Sequence, residues 1–93
     1  MFATVRIYAG NTDLVDALIA NEGEVRQLIA GIDGFKSYYL LRTGDGAASV
    51  SVYEDQAGAA ASDAAARAWV AENLPELHVA PPQIAAGEVV LGF

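Results

Sequence analysis

The sequence predicts an α+β fold with the element order strand, helix, strand, strand, helix, strand. Three observations carry this. Residues 3–9 and 47–53 alternate with the period of a strand, Asp45-Gly46 marks a tight turn between two strand-like runs, and a helical-period segment lies on either side of that hairpin. This is the split βαβ order of ferredoxin-like domains, an antiparallel sheet with two helices on one face. The 93 residues give room for a single domain, 1–93.

In the first strand Val5 and Ile7 point one way while Thr4, Arg6 and Tyr8 point the other. Asn11 or Thr12 is placed to cap a helix, with Asp13 and Asp16 in its first turn. Leu14, Leu18, Val25, Leu28, Ile29 and Ile32 recur at helical spacing, which makes that helix amphipathic. Gly23 costs about 1 kcal/mol there relative to alanine, so a bend is expected near it, and Gly31 or Gly34 ends the helix.

The hairpin joins residues 34–42 to 47–53, and Gly46 suits the positive φ of a primed turn. In the third strand Ala48, Val50 and Val52 share one face and Ser49, Ser51 and Tyr53 the other. The expectation is that the aliphatic face seats the helices and the mixed face meets a second sheet. Asp55 caps the second helix, which runs to about Asn73 before Pro75. Its core stripe reads as Ala57, Ala60, Ala61, Ala64, Ala65 and Ala68, with Trp69 its one large group. The last strand is expected from Glu88 to Phe93.

Composition narrows the function classes. Hydrophobic residues make up 54% of the chain, an excess that a symmetric homodimer would bury. A net charge of −7 with five dispersed basic residues argues against nucleic acid and anionic membranes as partners. No run is apolar enough to span a membrane, no secretory signal is visible, and a cytoplasmic location is the default expectation. The absence of cysteine removes disulfides, thiolate nucleophiles and cysteine-ligated zinc. A lone histidine, His78, cannot build a multi-histidine metal site within one subunit, and no cofactor is expected.

The hairpin Gly34-Phe35 to Tyr53-Glu54, followed by an alanine-rich helix ending Ala68-Trp69-Val70-Ala71-Glu72-Asn73-Leu74, resembles the dimeric α/β-barrel proteins, including the antibiotic-biosynthesis-monooxygenase-like domains. The resemblance covers essentially the whole chain. It implies a homodimeric α/β barrel in which two subunits pack sheet against sheet, with a ligand cleft between helices and sheet. It also brings in cofactor-independent oxygenases of aromatic polyketides, haem-degrading enzymes and members without established activity, so it does not assign a function.

In the haem-degrading branch a helix tryptophan, a following histidine and a first-strand asparagine form the catalytic group. Trp69 and His78 match by position and are the catalytic candidates, but residues 3–9 hold no asparagine. The plainer reading is that Trp69 fills space beside an alanine-rich helix and His78 is a solvated loop residue. Tyr39, Trp69, Asn73 and His78 are the ligand-binding candidates. Thr4, Arg6, Tyr8, Ser49, Ser51 and Tyr53 are the dimer-interface candidates, with Arg6 paired to Glu54 or Glu88 across the dimer. Gly44-Asp45-Gly46 is a turn and not a dinucleotide fingerprint, because a strand follows it. The leading expectation is a small-molecule-binding domain similar to monooxygenases acting on small aromatic or phenolic ligands. The alternatives are a non-catalytic dimeric module and haem binding or degradation.

Overall fold

The computed structural model describes residues 1–10 and 12–93. Four strands, β1 (Phe2–Ala9), β2 (Phe35–Arg42), β3 (Gly46–Tyr53) and β4 (Gln83–Glu88), form one antiparallel sheet in the order β2-β3-β1-β4. Three helices, α1 (Asp13–Ala20), α2 (Glu22–Ala30) and α3 (Gln56–Asn73), pack on it. The expected α+β ferredoxin-like architecture is present.

The first helical segment is two helices. The break falls at Asn21 (φ −112°, ψ 28°), two residues before the glycine expected to cause it. There the Asn21 side-chain amide donates to the Ala17 carbonyl at 2.8 Å, so the side chain takes over a carbonyl that continued helix would have bonded. Thr12 makes no side-chain cap bond, and the Asn11 alternative lies outside the described residues. At α3 the expected cap is in place: Asp55 accepts from the Gly58 N–H at 3.0 Å.

Gly46 serves a different purpose from the one expected. Its φ is not positive; instead a Cβ there would collide with the Tyr8 carbonyl oxygen on the paired strand. The positive φ values belong to Gly10 (79°) and Gly34 (85°), the latter at the entry to β2.

The two faces of the sheet are the reverse of the expected ones. Thr4, Arg6, Ser49, Ser51 and Tyr53 are buried beneath the helices, so they and the half-buried Tyr8 cannot meet a partner sheet. Arg6 pairs with Asp63 of α3 at 2.8 Å, not with Glu54 or Glu88 across a dimer. Tyr53 donates its hydroxyl to the Ile29 carbonyl of α2 at 2.7 Å. The uncovered face carries Val5 and Ile7 of β1, Tyr39 and Leu41 of β2, and Val50 and Val52 of β3, matched in register as Val5↔Val50 and Tyr39↔Val50.

The physical reason lies on α3. Its buried stripe is Gly58, Ala59, Ser62 and Trp69, while Ala57, Ala60, Ala61, Ala64 and Ala68 face outward. Small groups on the buried stripe let α3 lie close over β3. A Cβ on Gly58 would stand 3.1 Å from the Tyr53 ring. Bulk then comes from the aromatic side chains of the mixed face and from Trp69, which packs with Leu14, Val15, Ala47 and Leu74.

The fourth strand begins just after Pro82 and ends at Glu88, five residues before Phe93. Its register with β1 (Ile7↔Gln83 to Phe2↔Glu88) explains the shift: past Glu88 the chain has run off the start of β1. One backbone bond, Val89 N–H to the Met1 carbonyl at 2.8 Å, extends the pairing.

Candidate functional site

Two clefts open where the helical layer leaves the sheet. The first, about 700 Å³, lies between α3 and the β1–β4 edge and is closed at one end by the 74–82 loop. Its floor carries Arg6 and Tyr8; Asp63, Arg67 and Val70 come from α3, and His78 and Val79 from the loop. The second, about 650 Å³, lies between α1–α2 and β2, where Tyr38, Arg26 and Arg42 meet the apolar side chains of Leu18, Val25 and Leu40. Both fall in the range of ligand sites.

A small inner cavity of about 40 Å³ sits between them. It shares Arg6, Tyr8 and Val70 with the first cleft, and Leu18, Tyr38 and Leu40 with the second. This space holds about one or two water molecules. The helix–sheet interior is therefore nearly filled, and accessible volume lies at its two sides.

Burial raises the Tyr8 phenol above its usual 10.0, with the Arg6 guanidinium opposing that shift and Asp63 adding to it. Burial likewise raises Tyr38, against a hydrogen bond from Ser49. At neutral pH both clefts thus present neutral phenols. Four of the five basic residues in the chain line the clefts, Arg6 and Arg67 the first and Arg26 and Arg42 the second.

Of the expected ligand residues, His78 stands in the first cleft, exposed and in the left-handed conformation (φ 50°, ψ 50°) that ends the short 3₁₀ turn 75–77. Trp69 is buried against the helices and reaches only the inner cavity; its indole N–H donates to Glu24 at 3.1 Å. Asn73 is exposed and donates its amide to the Trp69 carbonyl at 2.9 Å, so it serves the helix end. Tyr39, 65% exposed on the uncovered sheet face, belongs to neither cleft. Sequence reasoning placed Arg6 and Tyr8 on the opposite side. The partner that draws Arg6 to this side, Asp63, lies on α3 beyond the hairpin.

Three solved structures match along nearly their whole length. The haem degrader MhuD of Mycobacterium tuberculosis, bound to two manganese protoporphyrins, aligns over 100% of this chain and 98% of its own at 18% identity and a TM-score of 0.73. The ActVA-Orf6 monooxygenase of Streptomyces coelicolor, in complex with nanaomycin D, covers 98% and 91% at 20% identity and 0.62. SnoaB, a cofactor-independent oxygenase from Streptomyces nogalater, covers 98% and 92% at 15% identity and 0.59. The chain has an antibiotic-biosynthesis-monooxygenase-like fold. No protein-family model matches the sequence, and no curated protein matches it.

Within that monooxygenase-like fold, the residue group of the haem-degrading branch is not assembled here. Trp69 reaches only the inner cavity with its N–H engaged by Glu24, and β1, Phe2–Ala9, holds no asparagine. The chain's residues do not fit that haem-degrading arrangement. Among the described residues no group of three His, Asp or Glu side chains could hold a metal ion.

Proposed function

We propose that this chain is a small-molecule-binding domain for aromatic or phenolic ligands, related in chemistry to the cofactor-independent monooxygenases, and that it works as a homodimer. The observation that carries the reading is the first cleft: an opening of about 700 Å³ with apolar walls, floored by the buried Arg6 and the neutral Tyr8. Apolar walls hold the flat body of a ligand, and a few polar groups fix its orientation.

In such an oxygenase the phenolic substrate supplies the electrons. Anthrone and O₂ give anthraquinone and water, with no outside reductant. The protein's part is a dry pocket and groups that stabilise the substrate anion. Arg6 supplies positive charge near the floor, and Tyr8 supplies an O–H donor. His78 stands at the rim, where its imidazole offers a base for the proton that the substrate releases.

The test is oxygen uptake with anthrone under air. Wild type should exceed buffer, and both Tyr8→Phe and His78→Ala should fall well below wild type. Uptake equal to buffer, with ligand binding intact, would favour the non-catalytic binding module. A Soret titration with haemin checks the haem reading, and no shift is expected.

The dimer rests on the uncovered sheet face. Its aliphatic side chains, with Ile7 44% and Leu41 49% exposed, offer a surface that a second copy would cover.

A further inference from the structure

Three of the four arginines at the clefts have carboxylate partners at exposed positions: Arg26 with Glu22 at 2.9 Å, Arg42 with Asp16 at 2.8 Å, and Arg67 with Asp63 at 3.0 Å. Arg6 differs. Its side chain is 3% exposed, and its one carboxylate partner among the described residues is that same Asp63, which accepts from Arg6 Nε on Oδ1 at 2.8 Å and from Arg67 on Oδ2. One carboxylate thus serves two guanidinium groups, and the trio keeps one positive charge uncancelled. Arg6 Nη2 is buried and has no hydrogen-bond partner among the described residues. A buried charged donor left unbonded is costly, and burial of the excess charge adds to that cost. Both costs fall when an anion enters.

We propose that the first cleft binds an apolar monocarboxylate, whose carboxylate pairs with the Arg6 guanidinium that lines the floor while its body lies against Val70, Leu74 and Val79. The proposal rests on the ligand-binding reading above and adds the charge and class of the ligand. A carboxylate matches the flat guanidinium, and Asp63 on Nε holds that plane in place. One negative charge balances the trio, whereas a phosphate dianion would overshoot it. The apolar walls exclude a small hydrophilic anion as the best occupant. Tyr8, a neutral phenol at neutral pH, adds a donor without competing charge.

Calorimetric titration at pH 7 with 2-naphthoate and its neutral isostere 2-naphthamide tests this. Wild type should prefer the naphthoate by about tenfold or more, as expected for a hydrogen bond to a buried charge. Arg6→Gln should abolish the preference and keep the amide's affinity, while Arg42→Gln at the other cleft should leave both unchanged. Asp63→Asn, whose amide oxygen can still accept from Arg6 Nε while the excess positive charge rises, should tighten naphthoate several-fold without moving the amide. It carries the test if Arg6→Gln fails to fold. Equal binding of the two probes by wild type, a preference that survives Arg6→Gln, or no tightening in Asp63→Asn overturns the carboxylate assignment and leaves the ligand-binding reading standing. Binding of neither probe overturns both.

Discussion

Tyr53 shows how one side chain on the covered face ties three elements together. Its ring is fully buried between Gly58 and Ala59 of α3 and Ile29 of α2, edge-on to Phe35 at 5.7 Å, and its hydroxyl donates to the Ile29 carbonyl. Tyr53→Phe keeps the packing but leaves that carbonyl only the longer bond from the Ile32 N–H at 3.5 Å, so we expect a loss of about 1 kcal/mol in urea unfolding with an unchanged slope. The tyrosines also set a pH limit. Burial raises Tyr8, Tyr38 and Tyr53 above 10.0, so above that pH the unfolded chain gives up protons that the folded chain retains. Stability from these groups is complete below pH 10 and declines as pH rises through their folded values. Phenolate absorbance should accordingly show Tyr8, Tyr38 and Tyr53 ionising late and together with loss of structure; ionisation of these three near 10 while the fold persists would contradict the burial.

At the scale of elements, local signals were legible where a local cause acts alone. Asp55 caps α3 because its side chain reaches the Gly58 N–H whatever lies beyond, and Pro75 stops the helix for equally local reasons. Asp55→Ala should cost about 1 kcal/mol, seen as a lower midpoint in thermal unfolding monitored by circular dichroism. The faces were not legible from hydrophobicity, because the helices sit on the more polar side of β1 and β3. What decides this is fit: Ser49, Ser51 and the small residues of α3 allow close approach, and Arg6 finds Asp63. A stripe drawn through Trp69, the one large residue of α3, would have selected Ala59, Ser62 and Ala66 and placed the outer alanines correctly. The last strand was misplaced because Val89-Val90-Leu91 has the stronger strand preference, whereas register with β1 selects Gln83–Glu88. Of the side chains lining the first cleft, His78 stood out in the sequence, while Arg6 and Tyr8 were assigned to the other side of the sheet.

For the whole molecule, reversal of the faces moves the predicted dimer without removing its cause. A chain with 54% hydrophobic residues still leaves Ile7, Tyr39 and Leu41 exposed together on one sheet face, and Val90 and Leu91 exposed beyond β4. Area of that kind, left in water, disfavours the isolated subunit. Light scattering at micromolar concentration should therefore give twice 9.7 kDa, and Ile7→Lys combined with Leu41→Lys should give the single mass. These two positions lie on the opposite side of the sheet from Arg6, Tyr8 and α3, so charge introduced there does not touch the cleft. The lysine double variant should bind 2-naphthoate with wild-type affinity if one subunit holds the whole site. A dimer that persists in the variant would relocate the interface. A monomer that loses naphthoate binding would mean that the partner completes the cleft, with the β4 edge and the chain after Glu88 the elements through which it would do so.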